Sequence, residues 1–108
     1  MQIGIFAKTF SGKTPLDVLQ AVRKSGFECA QYNMACSGLP AMPDAIDAAT
    51  AAAVRCASTA TQIPLVAVSA TYNMIHPDPA ERAAGHRRLQ VIAAKAKAMG
   101  IPLLTLCT

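Results

Sequence analysis

The stretch Ile63 to Pro79 constrains the fold more than any other. An apolar run, Leu65-Val66-Ala67-Val68, turns polar within a few residues and ends in a proline-stiffened loop bearing Tyr72, Asn73 and His76. A short continuous apolar run bounded by breakers reads as a buried strand, here Leu65 to Ala70, covered on both faces as in a parallel sheet. Helices must then flank it. In such folds ligands lie beyond the carboxyl ends of the strands, where this polar loop begins.

The flanking sequence supplies the helices. Residues 2–8 read as a first strand, followed by a loop from Thr9 to Lys13. Thr14-Pro15 opens a helix, with Thr14 as N-cap and proline at the first helical position. Asp17 in its first turn and Arg23 and Lys24 in its last match the helix dipole. Val18, Leu19 and Val22 make its apolar stripe, and Gly26 is its C-terminal cap. Phe27 to Asn33 read as a second strand, with Gln31 and Asn33 pointing the same way at its carboxyl end. After a loop broken by Gly38, Pro40 and Pro43, residues 44 to about 60 are alanine-rich and helical, starting near Asp44 or Asp47. Thr59 and Thr61 weaken that helix's end, and Pro64 forces the chain into the third strand. Asp78-Pro79 opens a third helix over 79–99, with Leu89, Ile92, Ala93, Ala96 and Met99 on one face and His86 near that face as a structural residue. Gly100 ends it, and Ile101 to Cys107 make a fourth strand.

The order is a parallel βαβαβαβ unit of class α/β. Residues 1–108 read as one small domain with no linker. Right-handed crossovers place the loops after Ala7, Asn33, Ala70 and Cys107 on one side of the sheet. No apolar run approaches the roughly 20 residues of a membrane span, and the strand-like N-terminus does not read as a signal peptide. A cytoplasmic protein with no membrane partner is expected. Cys29, Cys36, Cys56 and Cys107 form no C-x-x-C pair, so they read as buried small hydrophobes, not as a zinc or redox motif. The net charge of +4 falls entirely in residues 55–108, mostly on the third helix. A solvated helix face accounts for it, and no nucleic-acid partner is expected.

Ala7 to Thr14, Ala-Lys-Thr-Phe-Ser-Gly-Lys-Thr, nearly matches a P-loop. It has Ala7 where glycine is required, and Pro15 removes a backbone donor from the first helical turn. No later strand ends in an aspartate to hold a magnesium water. A nucleotide binder is therefore the weakest reading. No dinucleotide fingerprint, nucleophile elbow or H-E-x-x-H is present. His76 is the better lead. A histidine after a parallel strand can donate a proton, hold a substrate oxygen or bind metal, or it can simply bond nearby backbone. Asn73 and Tyr72 add polar groups beside it, and Pro77 and Pro79 restrict the loop.

Gly-Phe-Glu-Cys-Ala-Gln at 26–31, the alanine-rich helix, Val-Ser-Ala-Thr-Tyr-Asn-Met-Ile-His-Pro-Asp at 68–78 and Gly-Ile-Pro-Leu-Leu-Thr-Leu-Cys-Thr at 100–108 together resemble the first half of a sugar phosphate isomerase/epimerase. These enzymes are xylose isomerase-like TIM barrels. The resemblance implies that the chain is strands 1–4 and helices 1–3 of a (β/α)8 barrel. It implies a divalent metal ion, and metal-assisted proton transfer on a sugar or hydroxy-carbonyl substrate. It places Gln31, Asn33, Tyr72, Asn73 and His76 at the substrate, with Lys8 at the end of strand one the weakest addition. No residue matches the family's catalytic glutamates or metal-binding carboxylates. The complete protein is thus expected to be an isomerase or epimerase, with this chain alone inactive and no catalytic residue within it. The alternative is a non-catalytic binding module, a half-barrel that self-associates as a homo-oligomer through its exposed strand edges.

Overall fold

Three side-chain caps start the three helices. The Asp17 N–H donates to Thr14 Oγ1 at 3.2 Å, the Thr50 N–H to Asp47 Oδ1 at 2.7 Å, and the Ala80 N–H to Asp78 Oδ1 at 2.9 Å. Each cap satisfies a donor that the helix itself leaves unpaired. In the computed structural model, which describes residues 1–107, these caps open α1 (Pro15–Lys24), α2 (Ala48–Thr61) and α3 (Pro79–Met99). The second helix begins later than residue 44. Asp47 holds the extended conformation a cap requires, and Asp44 instead accepts from Arg88 Nε at 2.8 Å.

The helices end alike. After α1, the Gly26 N–H donates to Arg23 O at 3.0 Å and the Phe27 N–H to Val22 O at 3.3 Å. Gln62 and Ile63 repeat the pattern onto Thr59 O and Ser58 O, and Gly100 and Ile101 onto Lys97 O and Ala96 O. This closure needs a left-handed residue at its first position. Gly100 has φ +76°, but Gln62 has φ +57° and is the one non-glycine residue with positive φ among the described residues. Two extra bonds hold its turn. Ser58 Oγ donates to Ile63 O at 2.7 Å, and Arg23 Nη1 donates to Thr61 O at 3.0 Å. Ile63 and Ile101 then plug the core at 1% and 3% exposure.

Four parallel strands follow in the order β1-β2-β3-β4: Gly4–Phe6, Cys29–Tyr32, Leu65–Ser69 and Leu104–Thr105. The strands at 2–8, 27–33 and 101–107 are shorter than expected. Ala7–Thr9 curls into a 3-10 turn, Phe27 is used in closing α1, Asn33 caps a second 3-10 turn at Met34–Ser37, and Pro102 lacks an N–H.

A strand order that never reverses, with one hand of crossover, puts every helix on the same side. α1 packs on α2 and α2 on α3, forming one layer. Ala30, Tyr32 and Val68 face that layer and are buried. The arrangement is compatible with a half-barrel βαβαβαβ unit. The expectation that β3 is covered on both faces fails: the sheet's other face is open, and Phe6 and Val66 are 38% and 40% exposed. Partners pair Ala30 with Leu65 but Gln31 with Ala67, so the register shifts by one residue at Val66.

On α3 the buried positions are Gly85, Ile92, Ala96 and Met99. Ala93 and His86 are exposed, which corrects both placements; each lies one helical step, about 100°, beyond a buried position, which turns it outward. Cys29 and Cys36 are buried as expected, but Cys56 and Cys107 are exposed; all four are free thiols. Of the basic residues on α3, Arg88 bonds to Asp44 and Arg82 to the His76 carbonyl. No helix of the described residues is long and apolar enough to cross a membrane.

Candidate functional site

At the carboxyl end of β3 the chain leaves the sheet at Ala70, fully buried, whose N–H donates to Thr105 O at 2.9 Å. Tyr72 then lies against α3. A Cβ placed on Gly85 would overlap the Tyr72 ring. This accounts for a glycine inside a helix, where it costs about 1 kcal/mol relative to alanine. The ring thereby fixes the start of the loop.

Beyond it the loop is tied to itself. Asn73 Oδ1 accepts from the Ile75 N–H at 3.1 Å, and the His76 N–H donates to Asn73 O at 3.3 Å. His76 Nδ1 accepts from the Asp78 N–H at 3.0 Å, and Arg82 donates to the His76 carbonyl. A ring nitrogen that accepts a hydrogen bond carries no proton, so the neutral His76 ring carries its proton on Nε2. In this arrangement the free edge of the half-buried ring is a donor. It can hold a ligand oxygen, whereas binding metal through Nε2 would require the opposite tautomer.

The residues ending β2 do two different things. Gln31 reaches across the sheet, its Nε2 donating to Thr105 Oγ1 at 2.6 Å. Asn33 is 3% exposed and turned to structural use: its Oδ1 accepts from the Ala35 N–H at 2.9 Å, capping the Met34–Ser37 turn. Behind that turn the Tyr32 hydroxyl meets Ser37 Oγ at 2.6 Å, and burial pushes the Tyr32 phenol well above its ordinary range. Burial likewise raises the Cys36 thiol, against smaller opposing effects of the Asn33 backbone and Lys8. A raised thiol is a poor nucleophile at neutral pH. Lys8 is exposed on the 3-10 turn after β1, not at a strand end.

Tyr72, Asn73 and His76 are thus held in one loop. Gln31 is held on the sheet by a residue of β4, and the chain leading into the loop, at Ala70 and Thr71, is bonded to the same carboxyl-terminal segment. Thr105 O receives the Ala70 N–H, and Cys107 Sγ donates to Thr71 Oγ1 at 3.8 Å. Thr105 and Gly85 are additions to the sequence-derived set. Thr105 was marked only by being a lone hydroxyl within Leu103-Leu104-Thr105-Leu106, and Gly85 only by being a glycine within a helix.

At Ala7 to Thr14 the geometry does not build a phosphate cradle. The Thr14 hydroxyl is engaged as the α1 cap, Asp17 adds negative charge to the first turn, and Lys13 is exposed. Among the described residues no three His, Cys, Asp or Glu side chains converge to hold a metal ion. With His76 Nδ1 also turned to Asp78, these residues do not by themselves fit the divalent metal that the resemblance implies. An open cleft of about 730 Å³ lies at the opposite end of the sheet, among Gln62, Pro64, Gly100 and Pro102. It carries no titratable side chain, so its size does not make it the chemical site. A smaller depression of about 230 Å³ lies on the open sheet face, lined by Phe6, Cys29, Gln31 and Val66.

Comparison of the chain with family models, with curated proteins and with solved structures finds no match in any of the three, so the family resemblance rests on the quoted residues alone.

Proposed function

We infer that this chain forms one wall of a sugar (phosphate) isomerase/epimerase-like enzyme, the first half of a TIM barrel acting on a sugar or hydroxy-carbonyl substrate in the cytoplasm. The observation that carries this reading is the one-sided sheet. Its strands run in unbroken order under a single helical layer, its other face is open, and its polar side chains gather at the carboxyl end. Barrel enzymes place their chemistry at that end.

His76 donates through Nε2–H to a substrate oxygen, where a donor stabilises negative charge developing as a proton leaves the neighbouring carbon. Tyr72 supplies an apolar edge, and Gln31 a carboxamide. Asn73, whose oxygen is engaged, contributes its NH2 group, while the buried Asn33 holds the Met34–Ser37 turn in place. Proton abstraction belongs to carboxylates on the facing wall, as does the metal.

The test is a titration of the chain with a ketose and a ketose phosphate, followed by amide and imidazole NMR. Binding in the range of about 1–10 mM is expected for half a site, with shifts at Gln31, Tyr72 and His76. Shifts confined to the amino-terminal end of the sheet, or none at all, overturn the reading.

The open edges favour a second reading, a half-barrel module that closes on a second copy. A twofold axis along the strands would pair β4 of one copy with β1 of the other in parallel, at both seams, without changing the direction of any strand. Sedimentation decides it: a clean monomer at micromolar concentration sinks this closure.

A further inference from the structure

Gln31 and Thr105 are 74 residues apart and sit on strands that do not touch, with β3 between them. Neighbouring strands lie about 4.8 Å apart, so the pair spans about 10 Å of sheet. Partners in a parallel ladder point to the same face. Gln31 is the partner of Ala67 and Thr105 of Ser69, and Phe6, exposed on the open face, is the partner of Gln31. The pair therefore lies on the face no helix covers. Ala67 is nevertheless only 7% exposed, because the Gln31 side chain runs over it on its way to β4.

The bond leaves much of the pair's capacity free. Gln31 has two N–H donors and an oxygen, and Thr105 has a hydroxyl that can donate while its oxygen accepts. One donor and one lone pair are spent on each other. An amide oxygen, an amide N–H and a hydroxyl proton remain. No buried polar side-chain atom among the described residues lacks a partner, so the Gln31 amide oxygen, which has none, opens to solvent, and both side chains are half-buried, not enclosed. The residues in register around them, Phe6, Ala67 and Ser69, carry no charge.

We propose that Thr105 is a positioning residue that holds the Gln31 carboxamide across β3, and that the pair forms a polar floor recognising the uncharged hydroxyl and carbonyl groups of a polyhydroxylated ligand. This rests on the reading of the open face as the wall of a sugar site, and deepens it. Each sugar hydroxyl both donates and accepts, which suits a mixed set of two donors and an acceptor. A phosphate or carboxylate would call for cations, and the floor has none.

Two variants test it, Thr105→Val, which keeps shape and removes the hydroxyl, and Thr105→Ser, which keeps the hydroxyl. In the free chain, the Gln31 side-chain NH2 resonances are expected to be well separated and slow to exchange, to collapse toward free-amide values in Thr105→Val, and to persist in Thr105→Ser. Titration with an uncharged ketose should then show affinity falling about tenfold in Thr105→Val, the loss of roughly one hydrogen bond's worth of binding. Thr105→Ser should stay within about twofold of the parent. Gln31 resonances unchanged in Thr105→Val overturn the positioning role. Altered resonances with unchanged ketose affinity reduce the pair to an inter-strand tie and overturn its role in recognition. If the parent chain binds no ketose, the proposed function and the polar floor fall together, while the amide signals still decide whether Thr105 positions Gln31.

Discussion

At the amino-terminal end of the sheet, three helices pass into the next strand by one repeated device: two backbone bonds, a left-handed residue, then Phe27, Ile63 or Ile101 turned toward the core. At the carboxyl-terminal end the connections vary: two open on 3-10 turns, only one of them capped by a side chain, and the third is a longer loop. β1 runs into a 3-10 turn, β2 into a turn capped by Asn33, and β3 into the Tyr72–His76 loop folded on its own side chains. The repeated end is closed by main-chain bonds, with side-chain donors added at the Gln62 turn, while the irregular end engages side chains as acceptors. The difference separates the closures that hold the unit together from the loops where parallel α/β sheets ordinarily place their ligands.

The contrast can be broken most forcefully at Gly85. Alanine there gains about 1 kcal/mol of helix propensity. Its Cβ would displace the Tyr72 ring, however, and overpacking of this kind costs about 1–3 kcal/mol. We expect Gly85→Ala to be destabilising, and Tyr72→Ala to remove most of the penalty when the two are combined, read as coupling in a double-mutant cycle by denaturant unfolding. Additive effects would mean that the ring does not rest on Gly85.

At the repeated end, Gly100→Ala forces an L side chain into the left-handed region and should cost about 1–2 kcal/mol in the same measurement. Gln62→Gly runs the other way. It relieves that strain but adds glycine's entropy to the unfolded chain, so a net gain of up to about 1 kcal/mol is expected. A loss would show that the Gln62 side chain supports its turn.

The smallest effect concerns Asp44. The Arg88 guanidinium holds its carboxyl below the usual carboxylate range. A lowered folded value means that the contribution is complete above the ordinary carboxylate range and is lost as pH falls through the lowered one. Both side chains are at the surface, where such pairs contribute little. Arg88→Ala should therefore shift the Asp44 carboxyl titration upward by NMR while barely moving the unfolding midpoint at neutral pH.

The limits of α3 were legible to the residue, because Asp78-Pro79 and Gly100 are strong punctuation and both act as such. The parallel order was legible for the same reason, since each strand follows a helix stop. The open face was not. Leu-Val-Ala-Val reads the same whether its second side meets helices of its own unit or nothing among these residues. Asn33 was found as the polar end of the second strand and His76 as a loop histidine, but which of their atoms are engaged depends on turn geometry that residue type does not encode. Thr105 and Gly85 gain their meaning from Gln31 and Tyr72, neither of which is near in sequence.

The one-residue slip between β2 and β3 reaches further than its size. Had the pairing run on unbroken from Ala30 opposite Leu65, Gln31 would stand beside Val66, and the valine's branches would obstruct its path to β4. Tyr32 would stand beside Ala67, leaving a gap under the helices. The slip changes the odd–even phase of the strand midway. It delivers alanine to the side where a long carboxamide must pass, and Val68 to the side where bulk is wanted. One strand thereby keeps two alphabets, one for each face, and an insertion or deletion near Val66 would exchange them.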